Sequence, residues 1–422
     1  LLYEKGYVKL EKYFVDGTKI ESAANKYTFV WKGSVEKYEK KVDEKVRELI
    51  KEINTIAEQE NEIYGDKDLE ELGEGSAVTS EDIKEVAQKI NNKLEALAEN
   101  SERKAKTVKK KLKKAKKELE TELLPRKEKY EAYNATFNGR NSFSKTDHDA
   151  TFMRMKEDAM KNGQRKPAYN LQYGVEASFM VWAGIYANPT DTRTLIPFLE
   201  DFQEYIGTRS RNIIADAGYE SEENYLYLRD KGQASYIKPN NYEISKKRKW
   251  KNDIGRRENM VYLAGEDVYL CAEGKRLSAV GTRRTKSAGG YVSEKTIYAC
   301  ENCNGCERKE QCIHGNHSKI PLQERVKRLE VSKVFQRERE ENLARIRSTE
   351  GILLRMNRSI QVEGAFAQIK ENFGFRRFLT RGQESVLGEA ILLALAHNVL
   401  RLHEKIQRNT VGRHLIALKE AG

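Results

Sequence analysis

The chain has 422 residues, of which 38% are hydrophobic and 34% charged, with a formal net charge of +12. This length exceeds what one compact domain usually needs, so two or three units are expected. The polar composition, with no run near the ~20 apolar residues of a membrane span, argues against a membrane protein. The positive charge favours a polyanionic partner, with nucleic acid first.

A short strand is predicted at residues 11–16 (EKYFVD), where Gly17 ends it. Asp16 then closes this strand. A carboxylate at a strand end is exposed and yet rigidly placed. It therefore suits a role in binding a metal ion.

A long helical insertion is predicted to come after this strand. Residues 35–62 carry apolar side chains at alternating four and three spacing, the pattern of an amphipathic helix. After a glycine-containing break, a capping box at Thr79 and Asp82 begins a second helical stretch. Pro125 is expected to end it. We therefore predict a long antiparallel helical hairpin over residues 35–130.

From residue 169 the pattern changes to short apolar runs typical of strands. Strands are predicted at 170–177, 179–187, 212–216 and 234–238, and helices at 191–205 and 221–230. A polar region up to residue 322 has strand-like pieces at 260–263, 268–271 and 296–299. The remainder is predicted to be helical, at 324–349, 351–373 and 385–404.

This order of elements predicts an α/β protein with an RNase H-like catalytic core that is interrupted twice. The predicted segments are a first core strand at 1–34, the helical hairpin at 35–130, the core at 131–240, a β-rich insertion with the cysteines at 241–322 and C-terminal helices at 323–422. Asp16 closes the first strand, Asp216 closes the fourth, and Glu363 lies on a late helix.

Three carboxylates brought together by such a fold suit phosphodiester chemistry. Two Mg²⁺ ions about 3.5–4 Å apart can activate the attacking oxygen and stabilise the leaving one. Mg²⁺ prefers oxygen ligands and keeps several waters, so three carboxylates suffice. The alternative is that these are ordinary surface or turn residues, since the chain has 65 acidic side chains.

The sequence around each carboxylate carries a family resemblance. The segments are YFVDGTKIESAANKYTFVW around Asp16, IIADAGYESEENY around Asp216 and RSIQVEGAFAQIKENFGFRRFLTRG around Glu363. Together with residues 142–177 and 188–202, they resemble the DDE insertion-sequence transposases of bacteria. The resemblance is greatest to the subgroup with a cysteine cluster before the last acidic residue, and it covers most of the chain outside the hairpin.

The resemblance implies what the chain does and what it binds. Asp16, Asp216 and Glu363 would be the catalytic, metal-binding triad, with two Mg²⁺ ions or Mn²⁺ as cofactor. The chain would cleave transposon ends and transfer them into target DNA, as a homodimer on DNA, in the bacterial cytoplasm at the nucleoid. The alternative is a catalytically inactive DNA-binding protein derived from such an enzyme.

The family pattern around the glutamate is Y-x2-R-x3-E-x6-K. Lys370 matches its lysine, while Met356 and Ser359 stand at the tyrosine and arginine positions, with Arg358 adjacent. Regular helical spacing places Glu363 and Lys370 on one face. Lys370 and Arg358 are therefore candidates for contacts with DNA phosphates, and the alternative for Lys370 is a solvated side chain.

Cysteines cluster in the β-rich insertion, which favours a structural metal site. Their pattern is C-x2-C-x2-C-x5-C at Cys300, Cys303, Cys306 and Cys312, preceded by Cys271. Tetrahedral Zn²⁺ takes four thiolates, so Cys271 or Cys300 would complete a set with the other three. An iron–sulfur cluster and a set of metal-free thiols are the alternatives.

A basic run in the same insertion is the remaining candidate for DNA contact. Lys247, Arg248 and Lys249 are followed by Trp250, which places an aromatic ring inside the positive charge. Such charges contact phosphates without reading sequence. The alternative is a solvated loop.

Overall fold

The computed structural model describes residues 1–64, 78–96, 103–155, 164–287, 289–315 and 318–417. It contains helices and strands, so the expected α/β class is confirmed at this level. The residues form two compact units. The first comprises Leu1–Ala23, Arg154–Gln164 and Ala168–Gly422, and the second comprises Ala24–Met153 and Arg165–Pro167.

Strands and helices alternate along much of the chain. The strands are β1 (Lys12–Glu21), β2 (Phe29–Trp31), β3 (Ser142–Ser144), β4 (Thr151–Arg154), β5 (Arg165–Glu176), β6 (Phe179–Tyr186), β7 (Asn212–Ala215), β8 (Ala234–Ile237), β9 (Val261–Leu263), β10 (Val268–Leu270), β11 (Arg276–Lys286), β12 (Val292–Cys300) and β13 (Arg328–Val331). The α-helices are α1 (Lys32–Tyr64), α2 (Ser80–Ala96), α3 (Arg103–Glu118), α4 (Leu124–Phe137), α5 (Leu195–Ile206), α6 (Glu222–Asp230), α7 (Arg248–Lys251), α8 (Lys309–Cys312), α9 (Lys333–Arg347), α10 (Thr349–Arg358), α11 (Gly364–Ala367) and α12 (Gln383–Gln407).

A mixed sheet lies at the centre of the first unit, with neighbouring strands in the order β6–β5–β1–β7–β8. β1 runs parallel to β7, and β7 runs parallel to β8. β5 runs antiparallel to both β1 and β6. The tight link between β5 and β6 at Ser178 is present, with left-handed backbone at Ala177 and Ser178.

Helices cover the central sheet. On one side, aromatic and aliphatic side chains of α5 and α6, such as Phe198, Phe202 and Leu228, pack with Tyr13 and Val15 of β1 in one buried cluster. α10 packs against β1, β7 and β8, and α12 packs against β6. The sheet therefore holds α10 next to the two strands that carry the acidic candidates.

The first strand is longer than the sequence predicted. Gly17 does not end it, because β1 continues to Glu21 through pairing with β5. Position 17 requires glycine because a Cβ atom there would overlap the side-chain amide of Gln172 on β5. Only the parallel ladder with β7 stops before this point, at Val15 and Ala215.

A second sheet in the first unit is antiparallel, in the order β13–β12–β11–β10–β9. The sequence indicated β9, β10 and part of β12 but missed β11 and β13. β13 occupies part of the helix predicted at 324–349, which begins instead at Lys333 with Ser332 as its N-cap. The sheet therefore extends beyond the predicted boundary at residue 322.

The second unit corrects the predicted helical hairpin. Ion pairs of Lys45 with Glu118 and of Lys84 with Glu128 set both α1 and α2 against the α3–α4 helix. The apolar side chains of these helices form one buried cluster. It includes Val46 of α1, Ile83 of α2 and Leu112 of α3. Because the apolar faces of α1, α2 and the α3–α4 helix pack together, these helices form a three-helix bundle and not the predicted hairpin of two helices. Residues 65–77 and 97–102 lie outside the described part.

Pro125 does not end the second stretch either. A π-helical turn at Leu119–Leu123 leads directly into α4, where Pro125 lies in the first turn. The wide π turn before Pro125 accommodates the proline ring and its missing N–H, which would otherwise interrupt the α-helical hydrogen bonds. The helix ends at Phe137, and Asn138 comes next in the left-handed conformation. The predicted capping box is present, since Thr79 and Asp82 exchange hydrogen bonds.

Candidate functional site

The carboxylates of Asp16 and Asp216 are brought together by the parallel pairing of β1 with β7. Val15 pairs with Ala215, so each aspartate is the next residue after the last paired position. Neighbouring strands lie about 4.8 Å apart, and equivalent positions of a parallel pair present side chains to the same side. The two aspartates therefore stand side by side, with Asp216 directly after the end of β7 and Asp16 inside β1, which the sequence predicted to end at Asp16.

Backbone N–H groups hold both carboxylates. Asp16 Oδ1 accepts a hydrogen bond from the Gly17 N–H at 2.8 Å, and Asp216 Oδ1 accepts one from the Gly218 N–H at 2.7 Å. Asp16 is buried, with 8% of its surface exposed. These hydrogen bonds fix the direction of each carboxylate.

A third acidic side chain, Asp191, reaches the same place. A Cβ atom added at Gly17 would lie 2.9 Å from Asp191 Oδ1, and one added at Gly218 would lie 3.0 Å from Asp191 Oδ2. The Asp191 carboxylate thus lies between the residues that come after the two aspartates. Asp191 is not among the residues predicted for the site, because nothing in its local sequence pattern shows this contact.

Polar side chains of β5 hold Asp191 in place. Its Oδ1 accepts hydrogen bonds from Asn170 Nδ2 at 2.7 Å and from Gln172 Nε2 at 3.0 Å. The buried Tyr219 hydroxyl donates to Gln172 Oε1. Burial, together with the charges of Asp16, Asp191 and Asp216, raises the pKa of Tyr219 well above its usual value, so it stays a neutral donor.

Arg358 links the aspartate pair to Glu363. Its Nη1 lies 2.8 Å from Asp16 Oδ2, and its Nη2 lies 3.5 Å from Glu363 Oε1. The Arg358 side chain is 16% exposed and that of Glu363 is 61% exposed. Arg358 therefore bridges Asp16 and Glu363, with Glu363 at the solvent side.

The helix that carries Glu363 is not a regular α-helix. π-helical turns at Ser359–Glu363 and Gln368–Asn372 interrupt it on both sides of α11. Each π turn takes an extra residue and rotates the rest of the helix about its axis, so regular spacing no longer applies. Phe366, which regular helical spacing would place on the face of Glu363, is buried with its ring 5.7 Å from that of Tyr173. The predicted common face of Glu363 and Lys370 therefore cannot be derived from their spacing.

The carboxylates have the right chemistry for Mg²⁺ or Mn²⁺, which prefer oxygen ligands. Among the described residues, however, no three or more His, Cys, Asp or Glu side chains are grouped as a metal site. The contacts of Arg358 account for this around Asp16, because its guanidinium group lies where a cation would be shared with Glu363. An ion bound by Asp16, Asp216 and Glu363 requires Arg358 to move.

The five cysteines lie at one end of the antiparallel sheet. Cys300 and Cys303 are buried in its apolar cluster, and Cys271 and Cys312 pack against that cluster. The thiols are close enough to affect one another. Besides burial, which is the main cause, the charges of Cys271, Cys303 and Cys306 raise the pKa of Cys312.

A buried lysine lies beside these thiols. Lys327 donates from Nζ to the Cys312 carbonyl oxygen at 2.9 Å, and its backbone N–H donates to Cys303 Sγ at 3.4 Å. Burial lowers the pKa of Lys327, and its positive charge opposes the rise in the pKa of Cys312. The donor set is suitable for tetrahedral zinc, although the side chains would have to close around the ion.

The basic run is exposed on the loop after β8. Lys247, Arg248 and Lys249 are exposed, whereas Trp250 is partly buried. Arg256 lies over the Trp250 ring, with its guanidinium carbon 3.6 Å from the ring centroid. Arg256 therefore covers one face of the Trp250 ring, the ring that the sequence placed within the basic run.

Comparison with known proteins supplies one match. Residues 270–403 match the family described as Transposase DDE domain. The matched segment includes the cysteines and Glu363 but neither Asp16 nor Asp216. No curated protein and no solved structure matches the chain. The expected resemblance to DDE transposases is thereby confirmed at the level of this domain.

The position of Asp191 gives a testable consequence for metal binding. Asp191→Asn keeps an oxygen that accepts from Asn170 and Gln172 but removes a negative charge beside Asp16 and Asp216. We expect Mn²⁺ affinity, measured by electron paramagnetic resonance, to fall by about tenfold, as for other side chains that support metal ligands. Asp230→Asn, which changes an exposed carboxylate on α6, should leave it unchanged. Equal Mn²⁺ affinity in both variants would contradict the role of Asp191.

Proposed function

We propose that the chain, whose residues 270–403 match the family described as Transposase DDE domain, cuts DNA at transposon ends and joins these ends to target DNA. Asp16, Asp216 and Glu363 are the proposed metal-binding carboxylates. The central sheet that carries the two aspartates is the proposed RNase H-like core. We place this activity at the bacterial nucleoid, in the cytoplasm.

The observation that supports the proposal is that Asp16 lies beside Asp216 and shares the Arg358 guanidinium group with Glu363, although the three residues are distant in the chain. Asp16 and Asp216 stand side by side through the pairing of β1 with β7, and Glu363 is joined to Asp16 through Arg358. The sequence patterns around these residues single them out independently of any contact between them. Because negative charges close together repel one another, such a cluster of carboxylates is unstable unless a positive group neutralises it. This supports the proposal that the cluster binds divalent cations.

The divalent ions would supply activation of the attacking oxygen and stabilisation of the leaving one. The chain's own residues orient the reaction. Gly17 and Gly218 direct the two aspartates through their N–H groups, and the Asp191 carboxylate lies against both glycines. Water attacks first and the freed 3′-hydroxyl attacks in the second step, both by in-line displacement at phosphorus.

Arginine and lysine side chains hold the DNA in this proposal. Arg358, once released from Asp16, stands beside the site with a fork of donors that matches a phosphate group. Lys370 lies further along the same irregular helix and serves a neighbouring phosphate. Lys247, Arg248 and Lys249 contribute exposed charge, and Trp250 contributes an aromatic edge next to them.

Zinc is the proposed structural metal of the antiparallel sheet. Cys271, Cys303, Cys306 and Cys312 are the proposed ligands, because the Cys300 thiol instead donates to a backbone oxygen, the Asn302 carbonyl, at 3.5 Å. Cys300 is left as the additional thiol, and its pKa is raised to about 11 chiefly by burial. A thiol held protonated by burial is a weaker ligand.

One observation favours the inactive alternative. The ion pairs of Arg358 satisfy Asp16 and reach Glu363 without any metal. A DNA-binding protein that no longer cuts could keep this arrangement as a structural salt bridge. The two functions differ in whether DNA cutting depends on Glu363.

Glu363→Gln provides that test. We expect cutting of plasmid DNA carrying the sequences that flank this chain's coding region to fall at least about a hundredfold, because a charged metal ligand is lost. DNA binding, measured by fluorescence anisotropy, should change less than about threefold, since one neutralised carboxylate leaves the basic contacts in place.

Glu371→Gln is the matched control on the same helix, where Glu371 pairs with Arg376 at 2.8 Å in an exposed position. It should cut like the unmodified chain. Retained Mg²⁺-dependent cutting by Glu363→Gln would contradict the assignment, and absence of cutting by the unmodified chain would favour the inactive alternative.

Metal analysis tests the zinc assignment. We expect one zinc ion per chain in the purified protein, retained by Cys300→Ser and lost from Cys306→Ser, because only Cys306 belongs to the proposed ligand set. Inductively coupled plasma mass spectrometry measures the metal directly. Iron in place of zinc, or no metal at all, would contradict the proposal, and loss of zinc from Cys300→Ser would exchange Cys300 for Cys271.

A further inference from the structure

A cleft in the first unit lies between the C-terminal end of α12 and the segment that follows this helix, residues 408–417. Its walls also include Ser178 at the β5–β6 turn and Gln361 in the π-helical turn before α11. The volume of the cleft is about 660 Å³. Sites for small molecules have volumes in this range, so the cleft is large enough to hold such a ligand.

Positive charge dominates the lining of the cleft. The basic side chains that line it are Arg401, Lys405, Arg408 and Arg413. The acidic side chain Glu404 lies among them, with its Oε2 2.7 Å from Arg401 Nη1, and therefore neutralises one of these cations. Within the described part of the chain, the other three make no ion pair with a carboxylate. The cleft therefore has an excess of cations that a bound anion would balance.

Lys405 is held in the cleft without an anion beside it. The residue is partly buried, and its Nζ donates to the Arg413 carbonyl oxygen at 2.9 Å. Burial, together with the charge of Arg401, lowers the pKa of Lys405. Such a shift reflects an ammonium group whose charge is poorly compensated. An anion in the cleft would supply this compensation.

His414 offers a further polar group. Its Nδ1 atom is buried and has no hydrogen-bond partner among the residues that the structure describes. Burial is the main cause that lowers the pKa of His414, and the charge of Lys9 comes next. The ring is therefore neutral at pH 7, and a neutral imidazole can donate one hydrogen bond. A ligand oxygen would give the unpaired atom a partner.

The remaining wall is apolar and is fixed by hydrogen bonds. Ile360, Leu415 and Ile416 line it. The buried Asn357 side chain holds the segment after α12, because its Nδ2 donates to the Ile416 carbonyl oxygen at 2.9 Å and its Oδ1 accepts from the Ile416 N–H at 2.8 Å. Gln361 Nε2 donates to the His414 carbonyl oxygen at 3.0 Å. The fold thus sets an apolar wall and a group of cations around one space.

We propose that this cleft binds a nucleotide through its phosphate group. The planar guanidinium groups of Arg408 and Arg413 suit phosphate oxygens, and Lys405 adds a compact charge. The apolar side chains suit the less polar faces of a sugar and a base. The phosphate can be that of a free nucleotide or of one unit in a DNA strand. This inference goes beyond the proposed function, because it uses neither the carboxylates nor a divalent ion.

Binding is measured by isothermal titration calorimetry on the full chain, with thymidine monophosphate as the probe, at low salt and without divalent ions. We expect Arg408→Gln and Arg413→Gln each to weaken binding at least about tenfold, because each removes a charged donor to phosphate. Both residues are exposed, so the fold should tolerate these changes. Arg328→Gln, the matched control, removes an exposed arginine of β13 and should leave the affinity unchanged.

Two further probes identify the ligand. Thymidine, which has no phosphate, should bind at least about tenfold more weakly than thymidine monophosphate. Tighter binding of an oligothymidylate strand, with the same loss in Arg413→Gln, would identify the DNA backbone as the source of the phosphate, and weaker binding would identify a free nucleotide.

Three results would overturn the proposal: no binding of either phosphate-bearing probe, equal affinities for thymidine and its monophosphate, or equal effects of Arg413→Gln and Arg328→Gln. None of these titrations involves metal-dependent cutting. Failure of the cleft to bind a nucleotide would therefore leave the proposed function of Asp16, Asp216 and Glu363 untouched.

Discussion

The parallel pairing of β1 with β7 is the constraint on which the candidate site depends. It places Asp16 and Asp216 one residue beyond the last paired positions, on the same side of neighbouring strands. A shift of one residue in either strand would turn one carboxylate to the opposite face. The register is held on the other side of β1 by β5, whose Gln172 fills the space left by Gly17.

The second constraint is electrostatic. Asp16, Asp191 and Asp216 concentrate negative charge in a partly buried place, and like charges there repel strongly at low effective dielectric. Backbone N–H groups, side-chain amides and Arg358 offset this repulsion. The guanidinium group thus does for the protein what a bound cation would do, which explains why it contacts Asp16 and Glu363 together. In the proposed enzyme, the arrival of metal and DNA exchanges these partners.

Sequence reasoning singled out Asp16 and Asp216 because short apolar runs that lead into Asp are local patterns, although β1 continues past Asp16 to Glu21. It also located Glu363, but from its flanking motif. It could not find Asp191, because that residue reaches the site only through the folding of β5 and the glycine loops. The π turns around Glu363 were missed because apolar spacing does not distinguish a π turn from an α turn. The three-helix bundle was missed because each stripe could pack against either neighbour.

The same limit applies to α12. Its apolar run was read from the sequence as a helix, but which of its two apolar faces is covered depends on β6 and the β5–β6 turn. The cysteines were found by spacing alone, whereas the choice between Cys271 and Cys300 needs the positions of the strand ends. The sequence therefore shows which residues have suitable side chains, whereas only the fold shows which other residues each side chain contacts.

The central claim is that Asp16, Asp216 and Glu363 form one divalent-metal site from which Arg358 withdraws. Crystals grown with Mn²⁺ and DNA, with anomalous diffraction recorded for manganese, test it directly. We predict an anomalous peak at coordination distance from Asp16 and Asp216, with Glu363 beside it and Arg358 turned to a phosphate group. Manganese bound elsewhere, with the Arg358 to Asp16 ion pair intact, would contradict the claim.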